Sequence, residues 1–202
     1  MTTTNHSTRP SRLARRSFLG LAGAMVVGSI TSPLGGAEVD KVAFEDRLKA
    51  GDTNLQLQGC GLMYYKTVFK ALAAALYIDE KADLRDPLAD VPKRIEIEYF
   101  WSLKAKDIVA ASEKLLVDNV PADKLKQLRP AIDELHSFYR DIKPGDRYAL
   151  TYLPGVGTWL TLNGKMLGNV RDPEFASAYF SIWFGKKPMD VALKDQLLST
   201  RR

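Results

Sequence analysis

Residues that could bind a metal or act as nucleophiles are scarce in this chain of 202 residues. After residue 37 the sequence holds a single histidine, His136, and a single cysteine, Cys60. A zinc site takes three or four ligands, mostly Cys and His at short spacings, and this sequence offers no such group. No strained Gly-x-Ser-x-Gly turn is present to supply a nucleophile for His136. We therefore predict no metal and no cofactor, and we interpret His136 as an ordinary helical histidine rather than a catalytic base.

Three other patterns resemble functional motifs only in part. Glu96 and Glu98 stand two residues apart on a predicted strand, so both carboxylates share its polar face, which we expect to be solvated. Gly155 and Gly157 precede a predicted strand rather than a helix, and so they lack the helix N-terminus that binds phosphate. Cys60 lies between two glycines without an activating neighbour, which indicates a small buried residue. None of these patterns predicts a reaction.

The elements that would position a site are best defined near the C-terminus. Asn163-Gly164 joins two short alternating apolar runs, and we predict a β-hairpin there because both residues tolerate the positive φ of a type I′ turn. Asp172 as N-cap, Pro173 in the first turn and Gly185 as C-cap then bracket a helix. One face of this helix is apolar and must pack against a sheet, either as core or as a pocket wall: Phe175, Tyr179, Ile182 and Trp183.

Strand and helix patterns alternate along the rest of the chain. Apolar alternation or clustering predicts strand material over 42–57, broken by a turn at Gly51-Asp52, and further strands over 54–65, 93–101 and 148–153. On the third stretch the inward-facing set is Ile95, Ile97, Tyr99 and Trp101. Helical spacing predicts two helices: 104–119 and 122–141. Pro130 should kink or divide the second helix, and periodicity leaves 68–78 open between strand and helix. This order of elements predicts an α+β domain whose helices cover one face of an antiparallel sheet.

The first 37 residues are typical of an export signal. A polar run without acidic residues precedes an apolar stretch, Phe18 to Ile30, that is too short for a comfortable transmembrane helix. The pair Arg15-Arg16 just before this stretch resembles a twin-arginine signal, whose route carries folded proteins. Small residues favour cleavage before Glu38. We expect a mature domain, residues 38–202, in the periplasm or otherwise outside the cytoplasmic membrane; a retained anchor is the alternative.

The excess of basic residues belongs to the leader. The whole chain has 29 Lys+Arg against 24 Asp+Glu. The leader contributes only basic residues to these counts: Arg9, Arg12, Arg15 and Arg16. Without the leader, positive and negative side chains nearly balance, so we predict no nucleic-acid surface and no surface for anionic membranes. A single cysteine also excludes an internal disulfide, and stability must therefore come from packing.

Several motifs together resemble the bacterial branch of the chalcone-isomerase-like family. They are the Asn-Gly-Lys hairpin, the run D-P-x-F-A-x-A-Y-F-S-I-W-F-G-x-K-P, a last short helix ending D-Q-L-L, and Gly59-Cys60-Gly61-Leu62 leading to Leu76-Tyr77. The resemblance covers most of the chain after residue 50. It implies a curved antiparallel sheet covered on one face by helices. It also favours a strand over 68–78, with Gly59 and Gly61 at bulge or close-approach positions.

The resemblance further implies an apolar cleft between sheet and helices. Plant members of the family hold an ionised flavonoid or a fatty-acid carboxylate there with an arginine and two hydroxyls. The matching positions in this sequence are Met63, Leu72 and Ile108, which supply neither charge nor hydroxyl. Ring closure of a chalcone needs donors and cations that stabilise the enolate, and a bidentate arginine clamp has no apolar substitute. The departure therefore weakens the case for both activities.

We predict an exported, non-catalytic protein that binds a small apolar or lipid-like ligand in this cleft. Its ligand-binding residues would be Met63, Tyr65, Leu72, Tyr99, Trp101 and Ile108, with Tyr64 as a further aromatic neighbour. Two alternatives remain open. One is an isomerase of the intramolecular lyase type with a relocated polar site at Tyr65, Lys66 or Lys70. The other is a structural accessory of a periplasmic complex.

Overall fold

The computed structural model describes residues 36–82 and 86–199. The strands within these residues are β1 (Gly36–Val39), β2 (Val42–Glu45), β3 (Arg47–Ala50), β4 (Thr53–Tyr65), β5 (Phe69–Asp79), β6 (Lys93–Tyr99), β7 (Arg147–Leu153), β8 (Gly157–Leu162) and β9 (Lys165–Val170). The helices are α1 (Ala105–Asn119), α2 (Ala122–Phe138), α3 (Phe175–Phe184) and α4 (Val191–Leu198). The predicted export signal lies outside the described residues except for Gly36 and Ala37. Ala37 is buried in β1 and pairs with Phe44, so cleavage before Glu38 would remove two paired residues.

Strands β3 to β9 form one antiparallel sheet in which each strand pairs with its neighbour in sequence. The sheet is curled into a half-barrel. Helices α1 and α2 are inserted between β6 and β7, whereas α3 and α4 follow β9. One large core joins the inner face of the sheet to the helices. The predicted α+β architecture, with helices on one face of a curved antiparallel sheet, is confirmed.

The segment 68–78, which periodicity left open, forms strand β5 and pairs with β4. A β-bulge interrupts this pairing between Leu57 and Gly59. A Cβ added at Gly59 would lie 2.4 Å from the carbonyl oxygen of Gln196, and one at Gly61 would lie 2.4 Å from the Gln196 side chain. Both glycines are therefore required because α4 packs directly against β4, as the resemblance implied.

The inner face of β6 follows the predicted alternation only as far as Tyr99. Ile95, Ile97 and Tyr99 are buried against the helices, but Trp101 is 54% exposed. The prediction that Trp101 continues the inward set is wrong because the strand ends at Tyr99. The Trp101 indole N–H instead donates a hydrogen bond to the carbonyl oxygen of Lys70, 2.7 Å away. Trp101 thus lies at the edge of the core.

The opposite face of the sheet is covered by the β1–β2 hairpin, which the sequence patterns did not predict as a separate element. Phe44 of this hairpin lies under the guanidinium of Arg147, 4.7 Å from ring centroid to Cζ. Arg147 also forms ion pairs with Glu96 at 3.2 Å and with Glu98 at 2.7 Å. Arg94 pairs with Glu96 as well, at 2.9 Å. The prediction that Glu96 and Glu98 form a solvated face is therefore wrong, because arginines neutralise them beneath the hairpin and the Glu96 side chain is only 8% exposed.

The local signals near the C-terminus produce the predicted elements. Asn163 and Gly164 have φ of 50° and 78° and join β8 to β9. The Asp172 carboxylate accepts hydrogen bonds from the amides of Glu174 and Phe175, at 2.8 and 3.0 Å, and so caps the start of α3. Gly185 ends the helix, where a Cβ would lie 2.3 Å from Asn119 Oδ1. The hairpin and the end of the helix at Gly185 are confirmed, whereas the helix begins at Phe175, two residues later than predicted, with Glu174 in the N-cap position.

Helix α2 runs without a break through Pro130 and ends at Phe138. The alternative in which the proline divides the helix is therefore wrong, and the predicted extension to residue 141 is three residues too long. Proline at this position removes one backbone donor, but tertiary packing holds the helix together because Leu128, Ile132 and Leu135 are fully buried.

Lys93, at the start of β6, is fully buried beside the connector that follows residue 85. Its ammonium donates hydrogen bonds to the carbonyl oxygens of Pro87 and Ala89, at 2.8 and 2.6 Å. It also lies over the rings of Tyr152 and Phe180. Burial lowers the pKa of Lys93 to about 8. The side chain thus fastens the connector to the sheet.

Candidate ligand-binding cavity

A cavity of about 760 Å³ opens between the inner face of the sheet and the helices. All six residues predicted as ligand contacts line it: Met63, Tyr65, Leu72, Tyr99, Trp101 and Ile108. Ile182 and Trp183, for which the sequence left core and pocket wall open, line it as well. Sequence reasoning did not assign the others to a site: Phe69, Ala71, Ser102, Leu103, Asp107, Ala111, Ser112, Leu115, Tyr139 and Met189. The structure therefore brings the predicted residues together, while their part in ligand binding stays a prediction.

The sheet side of the cavity is built from three directly opposed residues on neighbouring strands. Met63 of β4 pairs with Leu72 of β5, and Leu72 pairs with Tyr99 of β6. Opposed residues on antiparallel strands project to the same face, so these side chains form a continuous row. A register shift between Met63 and Tyr64 follows this row. Tyr64 does not line the cavity, and its expected place beside the ligand is not supported.

The helix side of the cavity comes mainly from α1. Besides Asp107, its lining residues stand at positions i, i+3, i+4 and i+7: Ile108, Ala111, Ser112 and Leu115. This spacing is one helical face, so the prediction of Ile108 contained the signal for the other three. Of the aromatic face of α3, Phe175 and Tyr179 are fully buried, whereas Ile182 and Trp183 line the cavity. That face thus serves as both core and pocket wall.

The inner end of the cavity carries hydroxyl groups. Ser112 and Tyr139 line it, and the hydroxyls of Tyr139 and Tyr179 lie 3.1 Å apart. Burial raises the pKa of Tyr99, Tyr139 and Tyr179 above the ordinary value for tyrosine. These phenols remain protonated at neutral pH. They offer hydrogen bonds to a neutral group, but they provide no phenolate base.

The outer end of the cavity is surrounded by exposed apolar side chains. We call this the cavity mouth, and its members are Tyr65, Phe69, Trp101 and Leu103, which are exposed and also line the cavity. Phe69 and Trp101 meet edge to face, with ring centroids 6.4 Å apart. Among the described residues that line the cavity, Asp107 is the only charged one. The opening is therefore bordered by aromatic rings, and the described lining holds one acid and no base.

The lysines of the alternative isomerase site lie elsewhere. Lys70 forms an ion pair with Asp40 at 2.5 Å, on the β1–β2 side of the sheet. Lys66 lies at the tip of the β4–β5 hairpin, over the ring of Tyr65 at 5.4 Å from its centroid. Neither lysine lines the cavity, so only Tyr65 of that proposed polar set does so.

His136 also lies outside the cavity lining. Its Nδ1 is 3.2 Å from Glu113 Oε1, and Glu113 is held by Arg129 at 2.7 Å. Burial lowers the pKa of His136, while hydrogen bonding to Arg129 lowers the pKa of Glu113. The contacts among His136, Glu113 and Arg129 join α1 to α2, so His136 serves the packing of these two helices. Among the described residues no cluster of His, Cys, Asp and Glu could hold a metal ion.

Comparison with known proteins defines the class of protein that this fold and cavity represent. The sequence model of the chalcone isomerase-like family matches residues 36–199, and the chain belongs to that family. The crystal structure of a fatty-acid binding protein from Arabidopsis thaliana matches with a TM-score of 0.63 and 16% identity, over 81% of this chain and 96% of that chain. No curated protein matches the chain by sequence. In the described part of the chain, no helix is both long and apolar enough to span a membrane.

Proposed function

We propose that this protein binds a small, neutral, apolar or lipid-like ligand in the cavity and does not catalyse a reaction. The observation that carries this proposal is the cavity itself, whose volume of about 760 Å³ suits a small-molecule ligand. Apart from Ser102, Ser112 and Asp107, the described lining side chains are aliphatic or aromatic. Burying an apolar ligand against them removes apolar surface from water, which is the favourable term for binding.

The lining favours a neutral ligand over a fatty-acid anion. The Arabidopsis neighbour is a fatty-acid binding protein. Here Met63, Leu72 and Ile108 supply no cation, and Asp107 would repel a carboxylate. A buried carboxylate without a cationic partner loses its hydration without compensation. Ser112 and Tyr139 are suited to a hydroxyl, ester or ketone, because hydroxyl groups donate and accept neutral hydrogen bonds.

The same lining argues against ring closure of a chalcone. That reaction needs a phenolate nucleophile and a cation or a set of donors for the developing enolate. That phenolate is part of the substrate, and the described lining supplies neither a base to form it nor a cation to hold it, because the raised pKa values of the buried tyrosines keep them protonated and Lys66 and Lys70 lie away from the cavity. Binding without catalysis is therefore the function that these residues support best.

Export is part of the proposal. The paired Arg15-Arg16, the acid-free N-terminal run and the apolar stretch that follows support transport across the cytoplasmic membrane by the twin-arginine route. We accordingly place the mature domain in the periplasm.

Two neighbouring alanines on α1 provide the test. Both Ala110 and Ala111 are exposed, but only Ala111 lines the cavity. Ala111→Trp should fill part of the cavity and weaken binding of a neutral probe such as hexadecanol by about tenfold or more. Ala110→Trp is the matched control and should bind like the wild type, with similar melting temperatures for both variants.

Displacement of a fluorescent apolar dye by hexadecanol measures this binding, and mass spectrometry of the purified protein identifies any lipid that accompanies it. Equal affinity in the two tryptophan variants would show that ligands bind outside the cavity. Failure of the wild type to bind any apolar probe would overturn the proposed function.

A further inference from the structure

The tip of the β4–β5 hairpin extends beyond its neighbours in the sheet. β3 pairs only with Thr53–Gln56 of β4, and β6 pairs with β5 only from Leu72 onward. Residues 64–70 therefore form a two-stranded tip without a third strand on either side. Lys66 and Thr67 turn the chain with positive φ of 50° and 62°. Positive φ at two successive residues is typical of a tight hairpin turn, as at Asn163-Gly164.

The tip carries large apolar side chains that remain in water. Tyr65, Val68 and Phe69 are each more than half exposed, and Trp101 lies against Phe69 with its indole hydrogen-bonded to the Lys70 carbonyl oxygen. A cluster of this kind marks a contact with another molecule or with a membrane. The hydrogen bond and the ring contact fix the cluster in place before any partner arrives.

We infer that this tip and the cavity mouth dock onto the surface of a phospholipid bilayer. Tryptophan and tyrosine are the side chains that favour the bilayer interface, because each combines an apolar ring with a polar group that stays hydrated. Tyr65, Phe69 and Trp101 also line the cavity, so docking would place its opening against the membrane. This part of the inference rests on the proposed function, since a lipid-like ligand would pass between membrane and cavity without crossing water.

Local charge fits an anionic bilayer, although the whole mature chain is nearly neutral. Lysines at the tip and beside the mouth outnumber acids: Lys41, Lys66, Lys70, Lys104 and Lys106 against Asp40, Asp107 and Asp141. Lys70 pairs with Asp40 and Lys104 with Asp141, whereas Lys66 and Lys106 form no ion pair among the described residues. Their ammonium groups are available to lipid phosphates while the aromatic rings enter the interface.

Two valines of equal exposure allow a matched test. Val68 at the tip is 68% exposed and does not line the cavity, and Val117 on α1 is 67% exposed. The purified protein and the variants Val68→Asp and Val117→Asp, all with identical N-termini, are mixed with vesicles of phosphatidylethanolamine and phosphatidylglycerol and separated by flotation. Wild type and Val117→Asp should float with the vesicles, and Val68→Asp should partition about tenfold less. Binding of hexadecanol is measured on the same samples without vesicles.

Each outcome decides the inference. Loss of flotation in Val68→Asp alone, with hexadecanol binding intact, supports it. Two flotation results overturn it: wild-type protein that stays in solution, or equal flotation of all three proteins. A wild-type dimer that Val68→Asp dissociates, without any vesicle binding, also overturns it, because a second copy of the chain would then cover the mouth. If the wild type floats with the vesicles but does not bind hexadecanol, the proposed function is refuted and membrane docking still holds.

Discussion

Restoring charge and hydroxyl to the sheet side of the cavity should convert it into a carboxylate site. Met63 and Leu72 are directly opposed on β4 and β5, and both line the cavity. Met63→Arg with Leu72→Tyr would place a guanidinium and a phenol side by side. Charge-assisted hydrogen bonds to a carboxylate are worth about 1.5 to 3 kcal/mol. Because Met63 is only partly buried, burying the guanidinium offsets part of this gain and leaves a net of about 1 to 2 kcal/mol.

That net gain corresponds to palmitate binding about 5- to 30-fold tighter than in the wild type. Isothermal titration with palmitate and with hexadecanol measures it, and only the acid should gain. Met63→Gln with Leu72→Tyr is the control, since it keeps size and polarity without charge. A folded double variant that gains nothing for palmitate would show that these two positions do not form the site. A variant that melts far lower and gains no affinity would show that both positions serve only as core.

Three other predictions follow from the contacts. Lys93 has a pKa of about 8 in the folded protein against 10.5 in the unfolded chain, so the unfolded chain binds more protons between these two pH values. The free energy of unfolding of the wild type, relative to that of Lys93→Met, should therefore rise from pH 8 to pH 10 when it is measured by urea unfolding. A difference that stays constant over this range would contradict the prediction. Arg147→Met should lower the free energy of unfolding by about 2 kcal/mol, because Arg94 still pairs with Glu96 while Glu98 loses its partner. Adding Glu98→Gln should recover part of this loss in the same urea assay. An Arg147→Met variant as stable as the wild type would refute the ion-pair argument. Arg15→Lys with Arg16→Lys should abolish export in cell fractionation, and normal export would assign the leader to the general secretory route.

Sequence reasoning succeeded where the structure depends on a few neighbouring residues. Asn163-Gly164 produces its turn because backbone conformation alone selects those residues, and Asp172 caps α3 because its carboxylate lies beside amides two and three residues ahead. The opposed pair Met63 and Leu72 came from family resemblance, and no periodicity would have provided it. The helical spacing from Ile108 already placed Ala111 and Ser112 on the same face of α1, but only the structure shows that this face lines the cavity.

Contacts between distant segments account for the failures. Glu96 has the sequence pattern of a solvated residue, and only the arrival of the β1–β2 hairpin over Arg147 buries it. Trp101 continues the alternation of apolar residues in the sequence, but strand β6 ends at Tyr99. Tyr139 reaches the cavity from the end of α2, and nothing local in its sequence identifies which side of the core it occupies. For Trp183 the helical pattern left core and pocket wall open, and only the packing of α3 decides between them.

The packing of α4 on β4 bears on how this domain folds. The Gln196 side chain accepts a hydrogen bond from the Leu62 amide at 3.1 Å, across a separation of 134 residues. Strand β4 is therefore fully packed only after α4 has docked on it. Contacts between residues so far apart in sequence form slowly during folding. During that delay the glycine-containing stretch around Gly59 and Gly61 is an uncovered strand segment, a feature prone to intermolecular pairing. We expect shortening of α4 to increase aggregation during refolding more strongly than it reduces the stability of molecules that have already folded.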